Sequence, residues 1–348
     1  MKIIITGGAG FVGSNLANYF LGRGDAVLII DNFSRLGSKA NLQWLEGNHP
    51  NLQTSRCDIR DYASLVDLMK VHKDVDVILH LAAQVAVTTS IADPREDFEV
   101  NALGTLNLLE AIRAAAIRPI LIYTSTNKVY GSLGSGKLVE TQTRYEFAEN
   151  THGINEAQPL DFHSPYGCSK GTADQYVLDY HRVYGVRSVV FRMSCIYGPR
   201  QFGIEDQGWI AWFLIASELG LSITVYGDGK QVRDVLYIDD LIQAFDLCIQ
   251  NIRTTEGNVY NIGGGPDNTL SVWKEFGPVL GNLLGREPRV VHAKARLGDQ
   301  LLYVSDIRKA ARDFNWRPRV GVHTGIGYLM DWIRNQRALF RFLDPTSS

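Results

Sequence analysis

The sequence predicts an α/β protein: a Rossmann-like, doubly wound parallel sheet with a smaller α/β C-terminal lobe for substrate. Three observations predict it. Short, continuously apolar runs alternate with helical patterns through the first half. A glycine-rich turn closes the first of these runs. After about residue 193 the alternation loosens into turn-rich segments such as Tyr226-Gly227-Asp228-Gly229 and Gly263-Gly264-Gly265-Pro266.

Strands are expected at 2–6, 26–30, 52–57, 75–81, 120–125 and 187–192. Their unbroken apolar character suits strands buried on both faces. Helices are expected near 11–23, 61–71, 96–116 and 166–184. Residues 132–163 are polar and aperiodic, and a connection that long is a functional loop or carries structure of its own. The tail after about 338 is expected to fray.

The chain has 348 residues, more than one ordinary domain of about 100–200. Residues 1–190 are assigned to a dinucleotide lobe and 191–348 to a substrate lobe, interleaved around one cleft. Hydrophobic residues at 45% support a core and exclude global disorder. Lys and Arg number 35 against 37 Asp and Glu, so nothing in the charge favours nucleic acid or an anionic membrane. An anionic ligand must be met by local cations. The apolar start at Ile3-Ile4-Ile5 is too short for a signal peptide, and no run of about 18 apolar residues occurs to span a membrane. Cys57, Cys168, Cys195 and Cys248 are widely spaced and the eight histidines lack ligand spacing, so neither a disulfide framework nor a metal site is expected. A cytoplasmic protein is the default.

Gly7, Gly10 and Gly13 lie between the first strand and the first helix. A tight turn needs residues without Cβ, and the helix start offers free N–H groups to a pyrophosphate. Alone such a triplet is a common turn; after a strand and before a helix it marks a dinucleotide site. Asp31 ends the second strand, where a carboxylate accepts from ribose hydroxyls and repels a 2′-phosphate, so NAD is favoured over NADP. Arg35 nearby softens that preference. Asp58 and Ile59 suit an adenine-edge contact; a helix N-cap at Asp58 or Asp61 is the competing reading.

The fifth strand runs into Ser125-Thr126-Asn127-Lys128, and Tyr166 stands four residues before Lys170. On a helix these two share a face. A phenol near pKa 10 is a poor base, and an adjacent ammonium together with a positive nicotinamide ring is expected to lower it. Tyr166 then takes a proton from a sugar hydroxyl that Thr126 holds in line, while hydride leaves the same carbon. An ordinary amphipathic helix also produces a Tyr-x-x-x-Lys pair; the preceding nucleotide site and strand-end hydroxyls decide for chemistry.

The glycine motif, Leu81-Ala82-Ala83, Asn101, Ser125-Thr126, Tyr166 with Lys170, Arg192, Tyr197-Gly198-Pro199-Arg200 and Arg233-Asp234 together resemble the extended short-chain dehydrogenase/reductase superfamily. Within it they resemble the nucleotide-sugar epimerases and dehydratases most, over about residues 1–335. The resemblance implies bound NAD and a cofactor shell that adds Phe11, Val12, Asn32 and Ser34 to the residues above. Sugar-nucleotide 4,6-dehydratases carry an Asp-Glu pair after the threonine, and here Asn127-Lys128 stands in its place. The elimination machinery is missing, and epimerisation remains.

Segments 125–131, 143–145, 160–170 and 206–209 resemble the 2-epimerases of CDP-linked sugars. This implies oxidation of carbon 2 to a ketone and return of the hydride to the opposite face. Arg233 and Arg296 match diphosphate-binding positions, the latter in a segment that includes Asp299; a solvated surface arginine is the alternative for each. Tyr226 packs on the base or belongs to the core. Gln84, Asn127, His163, Gln207 and Trp209 are candidate sugar contacts. Cys195 stands where many 4-epimerases carry Asn; a small core cysteine is the plain alternative. The rival readings are a UDP-sugar 4-epimerase and a non-catalytic NAD-binding sensor. The family fold implies a homodimer built from helices 96–116 and 166–184, with further pairing into tetramers open.

Overall fold

The computed structural model describes residues 1–133, 138–149, 151–296 and 299–343. Its centre is a seven-stranded, all-parallel sheet. Five strands come from the first 126 residues: β1 (Lys2–Thr6), β2 (Ala26–Asp31), β3 (Gln53–Arg56), β4 (Val77–His80) and β5 (Ile120–Thr126). The spatial order is Val259–Ile262, Arg187–Met193, β5, β4, β1, β2, β3. Strand order therefore reverses between β1 and β4, and a ligand crevice opens there beyond the carboxyl ends. Apolar runs explain the sheet: Ile3 and Ile5 face one core cluster and Ile4 the other, all fully buried.

The expected strands and helices are present, with shifted ends. Two differences matter. The strand Val259–Ile262 returns from the second half to pair with Arg187–Met193, and the division at 190/191 falls inside the latter strand. The lobes thus share hydrogen bonds as well as a cleft. The expected helix 96–116 is interrupted: Pro94–Phe98 and Gly104–Ala114 flank a π-helical turn, Glu99–Leu103. That widened turn directs the Asn101 amide into the protein.

Among the described residues of 132–163 lies a short hairpin, Leu138–Glu140 with Tyr145–Phe147. In the second half, Cys195–Tyr197 pairs with Val232–Tyr237, which also pairs with Leu302–Tyr303 and Thr269–Ser271. The tail does not fray where expected. Residues Arg337–Leu343 form a 3₁₀ turn, and Phe340 is fully buried against Phe202 and Trp332. Residues 344–348 lie outside the described residues. No described helix is long and apolar enough to cross a membrane.

Candidate active site

A cleft of about 1020 Å³ runs over the carboxyl ends of the central strands, between the sheet and the second lobe. Its floor is the glycine turn. Gly7 has φ +70°, and a Cβ there would stand 2.7 Å from Ala82 N. A Cβ on Gly13 would stand 2.2 Å from Gly7 O. Gly10 starts the helix Phe11–Gly22 with no side-chain cap, and Gly10, Phe11, Val12 and Gly13 line the cleft. A helix start without a capping side chain leaves its amides for an anion.

The turn is held from two sides. Asp31 accepts from Ala9 N at 3.0 Å and from Phe33 N at 2.7 Å. Burial pushes its pKa up against these bonds. Thr6 Oγ1 accepts from Leu81 N and Ala82 N, and stands 2.7 Å from His80 Nδ1. His80 Nε2 lies 2.9 Å from Thr105 Oγ1, whose own proton goes to Asn101 O. The proton of this imidazole is therefore on Nε2, and Thr6 donates to Nδ1. Burial holds His80 neutral, with its pKa lowered to about 3.

The adenine-side residues sort cleanly. Asp61, not Asp58, caps the helix Tyr62–Val71 by accepting from Ser64 N. Asp58 is gripped by Arg60 through both carboxylate oxygens and by Asn32 Nδ2, and these partners hold it ionised well below the usual carboxylate range. Asn32 in turn accepts from Ser34 N at 3.0 Å. Asn32, Ser34, Asp58, Ile59, Leu81, Ala82 and Ala83 all line the cleft. Arg35 reaches across it to hydrogen-bond Gln207 Oε1, and its charge favours the Tyr166 phenolate.

Asn101 departs from expectation. It is buried and is not among the residues lining the cleft. Its amide is spent on Gln84 N, Gln84 O, Asp97 and Ser169. Gln84 does line the cleft, and its side-chain amide also bonds Ala86 N, Ala86 O and Asp97. Both residues shape the wall at 82–86. The acid that joins them, Asp97, was not foreseen. Its place on a polar helix gave no signal, since Gln84 and Ser169 lie 13 and 72 positions away.

Thr126 ends β5 and starts the 3₁₀ turn Asn127–Tyr130 by accepting from Lys128 N at 3.2 Å. Tyr166 and Lys170 lie on the helix Ser164–Tyr184, which has Pro165 in its first turn and Gly185 in the left-handed cap. Thr126, Asn127, Tyr166 and Lys170 meet in the cleft wall. Lys170 Nζ sits 4.3 Å from the centroid of the Tyr123 ring.

The expected electrostatics are corrected. Burial, not a neighbouring charge, dominates both groups. It raises Tyr166 to about 12, opposed by the Thr126 hydroxyl and Arg35, while Asp97 raises it further. Burial lowers Lys170 to about 7, opposed by Asp174 and Asp97. Lys170 contributes no resolved lowering of Tyr166 in the protein alone.

The second lobe closes the cleft. Cys195, Gln207, Trp209, Tyr226, Arg233, Arg296 and Asp299 all line it. Arg296 stacks on Tyr226 at 3.8 Å and pairs with Asp206 at 3.0 Å, and Tyr226 Oη donates to Glu205 at 2.8 Å. Arg233 is buried and donates to Val232 O. His163 is not in the main cleft. It lines an adjoining chamber of about 330 Å³, bonded to Asp161 at 2.9 Å; Val87, Lys128 and Asp299 border both spaces.

A phosphate cradle that Cβ atoms would fill, an acid at the end of β2 and a strand-order reversal fit a dinucleotide. Residues 3–263 match the NAD dependent epimerase/dehydratase family, and the chain belongs to it. NAD is its cofactor.

Among proteins of known activity, the chain is 44% identical over 337 residues to CDP-paratose 2-epimerase of Salmonella typhi, covering 95% of this chain and 99% of that protein. The fold matches a UDP-glucuronic acid 4-epimerase from Bacillus cereus, in complex with UDP-glucuronic acid and NAD (TM-score 0.83, 29% identity, 96% of this chain and 99% of that one). It equally matches the dTDP-glucose 4,6-dehydratase DesIV from Streptomyces venezuelae with NAD bound (TM-score 0.83, 30% identity, 97% and 98%).

Proposed function

We propose that this protein is an NAD-dependent epimerase that inverts carbon 2 of a CDP-linked hexose, of the CDP-paratose to CDP-tyvelose type. The observation that carries this reading is the 44% identity to CDP-paratose 2-epimerase over nearly the whole of both chains. Asn127-Lys128 supports it, because neither residue can serve as the acid–base carboxylate pair of an elimination.

The chemistry that NAD supplies when bound is a reversible hydride acceptor. Thr126 orients the carbon-2 hydroxyl. Tyr166 takes the hydroxyl proton as the carbon–hydrogen bond breaks, leaving a 2-keto sugar. Arg35 and the Thr126 hydroxyl favour the ionised form of Tyr166, and Lys170, one helical turn further on, completes the wall beside it. After the sugar turns over, Tyr166 returns the proton to the carbonyl oxygen as hydride arrives on the other face. Asp31 and the turn Gly7–Gly13 hold the dinucleotide, Trp209 and Cys195 face the sugar, and Arg233, Arg296 and Tyr226 serve the nucleotide. In this division residues 1–190 hold cofactor and residues 191–348 hold substrate.

Incubation with CDP-paratose and with UDP-glucose, followed by NMR of the ring protons, tests the reading. Inversion at carbon 2 of the CDP-sugar is expected. Inversion only at carbon 4 overturns it.

The reading includes a homodimer. Ile91, Phe98, Leu103 and Tyr176 are apolar or aromatic, 39–55% exposed, and lie on the segment 87–103 or on the helix Ser164–Tyr184. A cytoplasmic enzyme is favoured by its cofactor and by four unpaired cysteines.

A further inference from the structure

Lys128 has no role in the reading above, yet its position is unusual. It sits on the 3₁₀ turn after β5, with its backbone N–H bound to Thr126 Oγ1. Its side chain borders both the cleft and the adjoining chamber. Among the described residues no carboxylate lies within 4.0 Å of its ammonium. The titratable groups around it are Arg233, Asp299 and the Cys195 thiol, which burial keeps neutral, and burial with Arg233 lowers Lys128 to about 8. Arg233 is also buried, and it donates to a backbone carbonyl, Val232 O, rather than to an anion. Two dehydrated cations lining one cleft repel, and a single nearby carboxylate does not balance them. Such a pair is stable in company with a dianionic ligand.

We propose that Lys128 binds the β-phosphate of the nucleotide sugar opposite Arg233, and so selects carbon 2 for reaction. This rests on the nucleotide-sugar reading. The selection follows from connectivity. In this proposal residue 126 holds the reacting hydroxyl and residue 128 the phosphate, and their places on one short turn suit a hydroxyl that lies near the phosphate. In a glycosyl phosphate, carbon 2 adjoins the carbon that carries the phosphate, and carbon 4 lies across the ring. A cation at 128 therefore favours the near carbon. An acid in its place would repel the same phosphate.

Calorimetric titration of the NAD-loaded protein with CDP and with CMP tests the assignment. The Lys128→Met variant is expected to bind CDP about 10- to 100-fold more weakly, as for loss of one charge-assisted hydrogen bond, with CMP unchanged. Lys128→Arg should restore CDP binding. In the parent, CDP binding near pH 8 should take up protons, and in Lys128→Arg it should not. Undiminished CDP binding by Lys128→Met overturns the proposal. So does an equal loss of CDP and CMP. The cytidine reading fails separately, if the parent binds UDP or dTDP more tightly than CDP. The clamp is then judged by the diphosphate-to-monophosphate difference for that base.

Discussion

Ser169 Oγ donates to Asp97 Oδ2 at 2.5 Å, tying the residue before Lys170 to an acid 72 positions earlier. Asp97 also accepts from Gln84 and Asn101, so one carboxylate joins the wall of the cleft to the helix that carries Tyr166 and Lys170. Burial raises its own pKa, and Lys170 counters this. If Tyr166 and Lys170 carry the chemistry proposed for them, Asp97 acts on it through these neighbours, as a positioning residue.

Replacing Asp97 by Asn removes a charge that favours the Lys170 ammonium and disfavours the Tyr166 phenolate. Both pKa values should fall. Both limbs of the kcat–pH profile should then move to lower pH. A merely structural role would lower kcat and leave the limbs in place.

Tyr166→Phe keeps the ring and deletes the proton carrier. Turnover should fall by about 10²- to 10⁴-fold, the usual contribution of a positioned acid–base group. NAD should stay bound, as read by the nucleotide released on denaturation. Unchanged turnover would remove Tyr166 from the mechanism.

Lys170→Met should abolish turnover and stabilise the fold in acid. The Lys170 pKa is lowered from 10.5 to about 7 by burial. Between those values the unfolded chain binds the proton and the folded chain does not, so stability rises with pH across that window. Below it the native protein carries a buried charge. The gain in Tm for the methionine variant should thus be largest near pH 6 and shrink toward pH 9. Equal gains at both would contradict the assigned titration.

Gly13→Ala places a methyl 2.2 Å from Gly7 O, against backbone that cannot yield cheaply. The purified variant should carry little NAD, as read by nucleotide absorbance after acid release. An alanine variant that retains a full complement would show that the turn adjusts.

Phe98→Asp puts a charge on a residue that is 53% exposed in the single chain. If two copies pack through this face, size-exclusion chromatography with light scattering should show a dimer for the parent and a monomer for the variant. A parent that runs as a monomer ends the dimer proposal.

The glycine turn, the strand-end acid, the strand-end hydroxyls and the Tyr166–Lys170 spacing were all legible in the sequence. Each is a local pattern, set by the next few residues of one strand, turn or helix. The sequence was also a guide to the buried central strands, since unbroken apolar runs have few other homes, but the edge strand Gln53–Arg56 is polar and largely exposed. Less was legible in Asn101 and Gln84. Their residue types suit ligand contact, but the Asn101 amide is turned inward on a π-helical turn that no local pattern announces, and the Gln84 amide also bonds Ala86 and the distant Asp97. His163 fell beside the cleft for the same reason: the position of its loop is set by packing against the second lobe.

By itself, then, the sequence determined the fold class and the cofactor and singled out the residues proposed for acid–base chemistry, because short-range spacing and hydrophobic period encode them. Tertiary structure alone decided which polar groups face the cleft and which are consumed inside the wall. It also decided that burial outweighs neighbouring charge at Tyr166 and Lys170, and that Lys128 and Arg233, 105 positions apart, line one cleft. Desolvation and the meeting of distant charges depend on what the rest of the chain places around a group, and spacing along the chain does not carry that information.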